Sequence, residues 1–226
     1  LYEYLGDLIV LDVGGATTDL HSVTVESDQV ARLMISPEPK AKRTVEGDLG
    51  VYVNLWKVVE SIGEEKLREQ CREQGFSMEH ALETYRAIPK TEEEVKLVEL
   101  LTREAVVKAA ERHAGRLRYI YGPSGRSTVA EGKDLTQVKY IVGTGGALTR
   151  LPHREEIMRE ITRCNESGML LLPGEHAQIL VDHDYIMASR GVLAKRYPQA
   201  AARLLEQSLG ITFPERKAEE PVPVCN

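Results

Sequence analysis

"LIVLDVGGATTDLHSVTV", Leu8 to Val25, is the stretch whose reading decides the fold. Leu8, Ile9, Val10, Leu11 and Val13 form a nearly continuous apolar run, the pattern of a buried strand. Asp12 interrupts that run at its end, Gly14 and Gly15 follow, then Thr17, Thr18 and a second acid, Asp19. A further apolar run begins at Leu20. Glycines after a strand let backbone N–H groups come close to an anion, because no Cβ stands in the way. The hydroxyls of Thr17 and Thr18 could donate to the same anion. Asp12 only accepts, so beside phosphate it would hold Mg²⁺ through water or orient an attacking water. The turn therefore has the composition of a phosphate and metal site. The competing reading is a tight β-hairpin with Gly-Gly at its corner. There is no GxxxxGK[ST], which excludes a Walker loop. The glycines lead into a strand and not a helix, which excludes a Rossmann fingerprint.

Working outward, Leu8–Val13, Leu20–Val25 and Val30–Ile35 read as three successive strands joined by short links, hence an antiparallel meander. "SPEPK" then breaks the pattern. From Val51 to Ala114 the period is helical. One helix is expected over Leu55–Glu73. Another should start at Thr91, with Glu94 closing a capping box and Val95, Val98, Leu101, Ala105, Val106 and Ala109 as its apolar stripe. Gly115 suits the position past its end. Leu117–Tyr121 reads as a strand, "GPSGRSTVAEGKD" as a loop, and Val138–Val142 as a short buried strand. His153–Arg163 reads as a helix and "AQILVD" as a strand. Asp184–Lys195 and Pro198–Leu209 read as helices, the last stopped by Gly210. The segment after Phe213 is rich in proline and charge and reads as a loose tail. No internal repeat is visible. The order predicts an α/β protein with a mixed sheet whose first edge is antiparallel.

Composition bounds the function. With 226 residues, 42% of them hydrophobic and 28% charged, the chain can bury a good core. A net charge of -6 gives no electrostatic case for nucleic acid or an anionic membrane. Cys71, Cys164 and Cys225 are scattered, which fits a reducing compartment and neither a disulfide framework nor a zinc site. No apolar run is long enough to span a bilayer and no signal-peptide pattern is present, so the expected location is the cytoplasm.

A second glycine cluster, "VGTGGALTR" (Val142–Arg150), follows a buried strand and precedes a helix. Such a turn can take the flat face of a base or a ribose against bare backbone, and it also occurs for packing reasons alone. Together the clusters resemble something specific. "LIVLDVGGATTDLHSV" is similar to the second phosphate motif of the ATPase superfamily of actin, Hsp70 and sugar kinases. "YIVGTGGALTRLP" resembles its adenosine motif, and "DHDYIMASRGVL" its closing helix, with Ala188 and Gly191 as the small residues. "VEGDLGVYV", Val45–Val53, sits where those proteins start the helix leading to a further subdomain. The strings "DVGGATTDLHSV", "RTVEGDLGV", "GKDLTQVKYIVGTGGALTRL" and "DYIMASRGVL" narrow the resemblance to the MutL (GlmL) accessory proteins of glutamate mutase, which are unrelated to mismatch repair.

That resemblance implies a ribonuclease H-like mixed sheet, an actin-like ATPase half-domain. It would comprise residues 1–45 and 116–214, with a helical insertion subdomain at 46–115 and a tail at 215–226. It implies ATP and Mg²⁺ as cofactors. Asp12 would be the magnesium- or water-positioning acid, and Gly14, Gly15, Thr17 and Thr18 would hold phosphates. Gly143, Thr144, Gly145 and Gly146 would flank the adenosine, and Glu46, Gly47 and Asp48 would lie near the nucleotide. The implied partners are an adenosylcobalamin-dependent mutase, reactivated as a chaperone's client, and an N-terminal half-domain of the same protein. The superfamily's first phosphate motif does not occur in the eleven residues before Asp12, so ATP hydrolysis is expected only with that other half. A small-molecule kinase of the same superfamily and a non-enzymatic interaction module are the alternatives.

The remaining polar residues carry less. "DHDY", Asp182–Tyr185, offers either a weak metal cluster or, more in keeping with its place, a helix N-cap by Asp182 or Asp184. Cys71 reads as packing. Arg126 and Lys133 are expected on a surface loop, within possible reach of a nucleotide or a partner.

Overall fold

The computed structural model describes residues 1–123, 125–165 and 167–214. The expected tail at 215–226, with Cys225, lies outside them. In chain order the elements are α1 (Tyr2–Leu5), β1 (Leu8–Val13), β2 (Thr18–Val23), α2 (Asp28–Ala31), β3 (Ala41–Glu46), α3 (Leu55–Ile62), α4 (Glu64–Glu73), α5 (Met78–Glu83) and α6 (Glu92–His113). Then come β4 (Arg116–Gly122), β5 (Gly125–Glu131), β6 (Tyr140–Thr144), α7 (Gly145–Arg150), α8 (Arg154–Arg159), β7 (Gln178–Val181), α9 (Met187–Ala194) and α10 (Pro198–Leu209).

Five strands form one mixed sheet in the order β3-β2-β1-β6-β7. β1 and β2, and β2 and β3, pair antiparallel, while β1, β6 and β7 run parallel. β1 is apolar almost throughout because both of its faces are covered. Ile9, Leu11 and Val13 pack with Leu20 against Leu97, Leu101, Ala105 and Val106 of α6. On the other face Leu8, Val142 and Leu180 meet Leu205, Leu209 and Phe213. The first of these clusters continues without a break into α3, α4 and α5 through Val58, Leu67, Cys71 and Ala81.

α6 begins as the sequence predicts. Thr91 accepts from the Glu94 amide at 3.2 Å, and the Glu94 carboxylate accepts from the Thr91 amide at 3.2 Å. Such a cap is worth about 0.5–2 kcal/mol. The apolar residues wrap further round α6 than one stripe, since the sheet lies on one side and α3 and α8 on the others.

Four expectations are corrected. Val30–Ile35 is not a strand. Its start belongs to α2, where Ser27 caps the Val30 amide, and the third strand is Ala41–Glu46. That edge strand alternates only between half-buried and exposed positions, so Lys42, Thr44 and Glu46 hid its period. The single helix over Leu55–Glu73 is two, broken at Gly63 with φ +89°. The loop "GPSGRSTVAEGKD" is mostly β5, which pairs antiparallel with β4 from Arg116↔Glu131 to Gly122↔Gly125. Polar strand residues with one covered end carry no hydrophobic alternation to read. Finally, Lys133 is no surface residue. It is fully buried, and its ammonium donates to the Thr24 and Pro39 carbonyls at 2.9 and 2.7 Å.

Candidate nucleotide site

β1, β6 and β7 are parallel and end on the same edge of the sheet, the edge where open α/β sheets receive ligands. Asp12 stands near that edge. In register it faces Asp19 of β2 on one side and Thr144 of β6 on the other. Burial raises the Asp12 carboxyl above the usual range, and the Asp19 carboxylate across the strand pair adds to this. Asp19 is held by Arg43, whose guanidinium donates at 2.7 and 3.2 Å, and by the Thr17 hydroxyl at 3.0 Å.

The turn between β1 and β2 is fixed by its carbonyls. Gly14 donates to Thr17 O at 2.9 Å. The segment after β3 then captures the others: Val51 donates to Gly14 O, and Tyr52 and Val53 donate to Gly15 O. The Asn54 amide donates to Ala16 O and Gly47 O, both at 2.7 Å. This close approach requires Gly50, where a Cβ would lie 2.2 Å from the Ala16 carbonyl carbon. The amides of Gly15, Ala16 and Thr17 donate no hydrogen bond among the described residues. Gly15 and Ala16 are exposed. A turn with every carbonyl occupied and three successive N–H groups without a partner presents donors and no acceptors, which suits an anion.

The threonine hydroxyls are used within the protein. Thr18 is fully buried and donates to Leu49 O at 2.8 Å, and Thr17 donates to Asp19. Glu46 and Asp48 flank Gly47 beside the turn, but their carboxylates are gripped by Arg112 at 2.7–2.9 Å. The guanidinium holds the Asp48 carboxyl below its usual range.

The second glycine cluster meets the first at Asp12. Gly145 has φ +86°, and a Cβ there would lie 2.5 Å from Asp12 Oδ1 and 2.6 Å from the Val13 backbone. Gly143 is buried under Met158, 2.5 Å from where its Cβ would be. Gly146 is exposed with nothing within 4 Å, so it alone offers bare backbone to a ligand. Thr144 donates to Asp182 Oδ2 at 2.9 Å. Asp182 is itself fully buried and also accepts from the Ser208 hydroxyl and from the Ile186 and Met187 amides. Neither Asp182 nor Asp184 is the N-cap of α9, which is Ile186; from four residues earlier the Asp182 carboxylate accepts from the Ile186 and Met187 amides at 3.2 and 2.8 Å. Among the described residues no three His, Cys, Asp or Glu side chains group as metal ligands.

Sequence reasoning missed Asn54, Gly50, Arg43 and Arg112. Only Gly50 had a signal, as the second glycine of "EGDLG". The others act through distant partners that spacing along the chain cannot show.

A family model described as "MutL protein" matches residues 1–209. The chain belongs to the MutL protein family. It is similar to Protein MutL of Clostridium tetanomorphum, 36% identical over 211 residues that cover 91% of this chain. The same match takes in 46% of that relative, so this MutL family member spans about half its length. Among the described residues no helix is long and apolar enough to cross a membrane.

Proposed function

We propose that this chain is the nucleotide-binding half of an actin- and Hsp70-like ATPase, working in the cytoplasm to reactivate an adenosylcobalamin-dependent mutase of the glutamate mutase kind. The observation that carries the nucleotide reading is the turn at Gly14–Thr17, with its carbonyls occupied and the Gly15, Ala16 and Thr17 amides free. The strand order β3-β2-β1-β6-β7, two antiparallel pairings followed by two parallel ones, supports the ribonuclease H-like reading. The meeting of both glycine turns at Asp12 supports one shared site.

The free amides would receive the phosphate oxygens of ATP. Asp12 would hold Mg²⁺ through water, and Gly146 would give the adenosine side bare backbone. Gly14, Gly143 and Gly145 would serve by letting the backbone close up, and Thr17 and Thr18 by fixing the turn. Bound MgATP would supply phosphoryl transfer, for which the β- and γ-phosphates must be held from several sides. The chain presents one phosphate turn, so the proposal assigns the opposing one to an N-terminal half-domain of the same protein. Cleft closure would then couple the nucleotide to the grip on a client. The mutase as client rests on the family and on the motifs quoted above.

Calorimetry with MgATP tests the site. Binding by the wild type and its loss in Gly15→Val are expected, because a Cβ at Gly15 would already lie 3.3 Å from the Tyr52 Cβ and a branched side chain would displace the segment that clamps the turn. No binding by the wild type would leave the glycine turns structural and favour an interaction module. ATP turnover by the longer protein stimulated by a small molecule, and not by a mutase, would favour a kinase.

A further inference from the structure

Outside the nucleotide site, one element is built into the fold at one end and makes no hydrogen bond to the rest of the described residues at the other. β4 and β5 form a separate two-stranded ribbon. Its root is pinned from every side. Ala130 exchanges backbone hydrogen bonds with Leu33 and Ile35, Leu117 donates to Met169 O, and Leu171 donates to Gly115 O. The Gly115 amide donates to Lys133 O at 2.6 Å, and the Lys133 ammonium is buried on the Thr24 and Pro39 carbonyls. Leu117 and Ala130 pack with Val30, Leu33, Met34 and Leu171. Beyond that root, from Tyr119 to Thr128, the described residues make no hydrogen bond outside the ribbon.

A two-stranded ribbon in water is marginal by itself, and one this anchored holds its outer half in place without support from a core. What the outer half displays is aromatic and basic. Tyr119 and Tyr121 lie on one face, 47% and 79% exposed, with the Arg126 guanidinium 4.4 Å from the Tyr119 ring centre. Ile120, half exposed, lies on the opposite face. The ribbon carries Arg116, Arg118 and Arg126 against the single acid Glu131, which pairs with Arg118 at 2.7 Å and leaves Arg116 and Arg126 as its surplus positive charge, on a chain whose net charge is -6. Between Tyr119 and Thr128 both outer strand edges are free among the described residues. Tyrosine and arginine together are the residues that dominate protein docking surfaces.

We propose that the β4–β5 ribbon is a docking arm for a protein partner whose docking face is acidic. Charge complementarity selects that occupant. A second copy pairing ribbon to ribbon would set arginines against arginines, which strand pairing disfavours. The tyrosine faces give the arm apolar area to bury once its arginines are neutralised, and a free strand edge gives the partner backbone groups to pair with. This inference stands apart from the nucleotide reading and survives its failure.

The test places the photo-cross-linking amino acid p-benzoylphenylalanine at position 121 of the full protein in its native cells, followed by identification of the adduct. One protein adduct is expected, mapped to a segment of net negative charge. The double variant Arg118→Glu, Arg126→Glu should lower its yield about tenfold or more. Arg118→Lys with Arg126→Lys should keep most of it. The melting temperature should fall only slightly in the charge reversal, which breaks the Arg118–Glu131 pair, and should be unchanged in the lysine variant, because Arg118 reaches only Glu131 and Arg126 only Tyr119. An adduct to nucleic acid, to a second copy of the chain or to a segment that is not acidic would overturn the proposal. So would a yield indifferent to charge reversal, or no adduct at all.

Discussion

The two glycine turns are nearly alike in composition and opposite in construction. At Gly14–Gly15 the turn is held by its carbonyls, through Val51, Tyr52, Val53 and Asn54, and the amides from Gly15 to Thr17 are left without a partner among the described residues. At Gly143–Gly145 the glycines look inward, against Met158, Asp12 and Val13, and only Gly146 is open. The supports differ as well. Behind the first turn, β2 and β3 are pinned by polar groups: His113 joins Ser22 and Thr44 at 2.7 and 2.9 Å, and Arg112 grips Glu46 and Asp48. Behind the second lie Leu148, Ile157 and Met158 of the main apolar cluster. A glycine count therefore says little. What a turn can bind depends on which backbone groups its neighbours leave free.

The strongest way to break this contrast is to add one methyl group where a turn is clamped. Gly145→Ala must take φ +86° and clash with Asp12 and Val13, and Gly50→Ala meets the Ala16 carbonyl. Each should lose about 3 kcal/mol or more in denaturant unfolding, within the range for strain and overpacking in a core. A loss below about 1 kcal/mol would show that the turns are not close-packed.

Acid should separate the two supports. Burial pushes the His113 imidazole down to about 3, from 6.5 when exposed. The unfolded chain then binds a proton that the folded chain refuses. The stability contributed by neutral His113 is complete above pH 6.5 and is lost progressively from there towards pH 3. Hydrogen exchange is expected to show β2 and β3 loosening before β6 over that window. In His113→Gln this differential should shrink, whereas equal loosening of both regions in the wild type would contradict the polar-support reading.

A milder change sharpens the comparison. Asn54→Ala removes both amide donors that tie Ala16 O and Gly47 O together. About 1 kcal/mol of stability should go, with MgATP affinity in calorimetry weakened several-fold, because the turn loses its clamp and keeps its free amides. The smallest effect belongs to Gly146→Ala, where a methyl group meets open space. Its stability should change by less than about 0.5 kcal/mol in thermal unfolding.

The parts legible in the sequence share a physical character. β1, β6, α6 and α10 announce themselves because they bury apolar residues at a regular period, and the capping box of α6 is local. β3 and β5 were lost because an edge strand and a ribbon bury little, so their residues alternate in nothing that hydropathy records. At the site, Asp12 and the glycines stood out as residue types that a core strand and its turn do not otherwise need. Their partners did not. Arg112 reaches Glu46 across 66 positions and Asp182 reaches Thr144 across 38, and no local pattern encodes either pairing. The hydroxyls of Thr17 and Thr18 were legible as polar groups beside the glycine turn, while their commitment to Asp19 and Leu49 was not.

Lys133 has a practical consequence. Its amine is sealed from solvent and engaged by two carbonyls, one before β3 and one after β2. A water-soluble acylating reagent can reach it only in molecules whose ribbon root has come apart. The extent of labelling at this one lysine therefore works as a clock. Followed over time by peptide mass, it counts how often the root opens under native conditions, with no residue substituted beforehand.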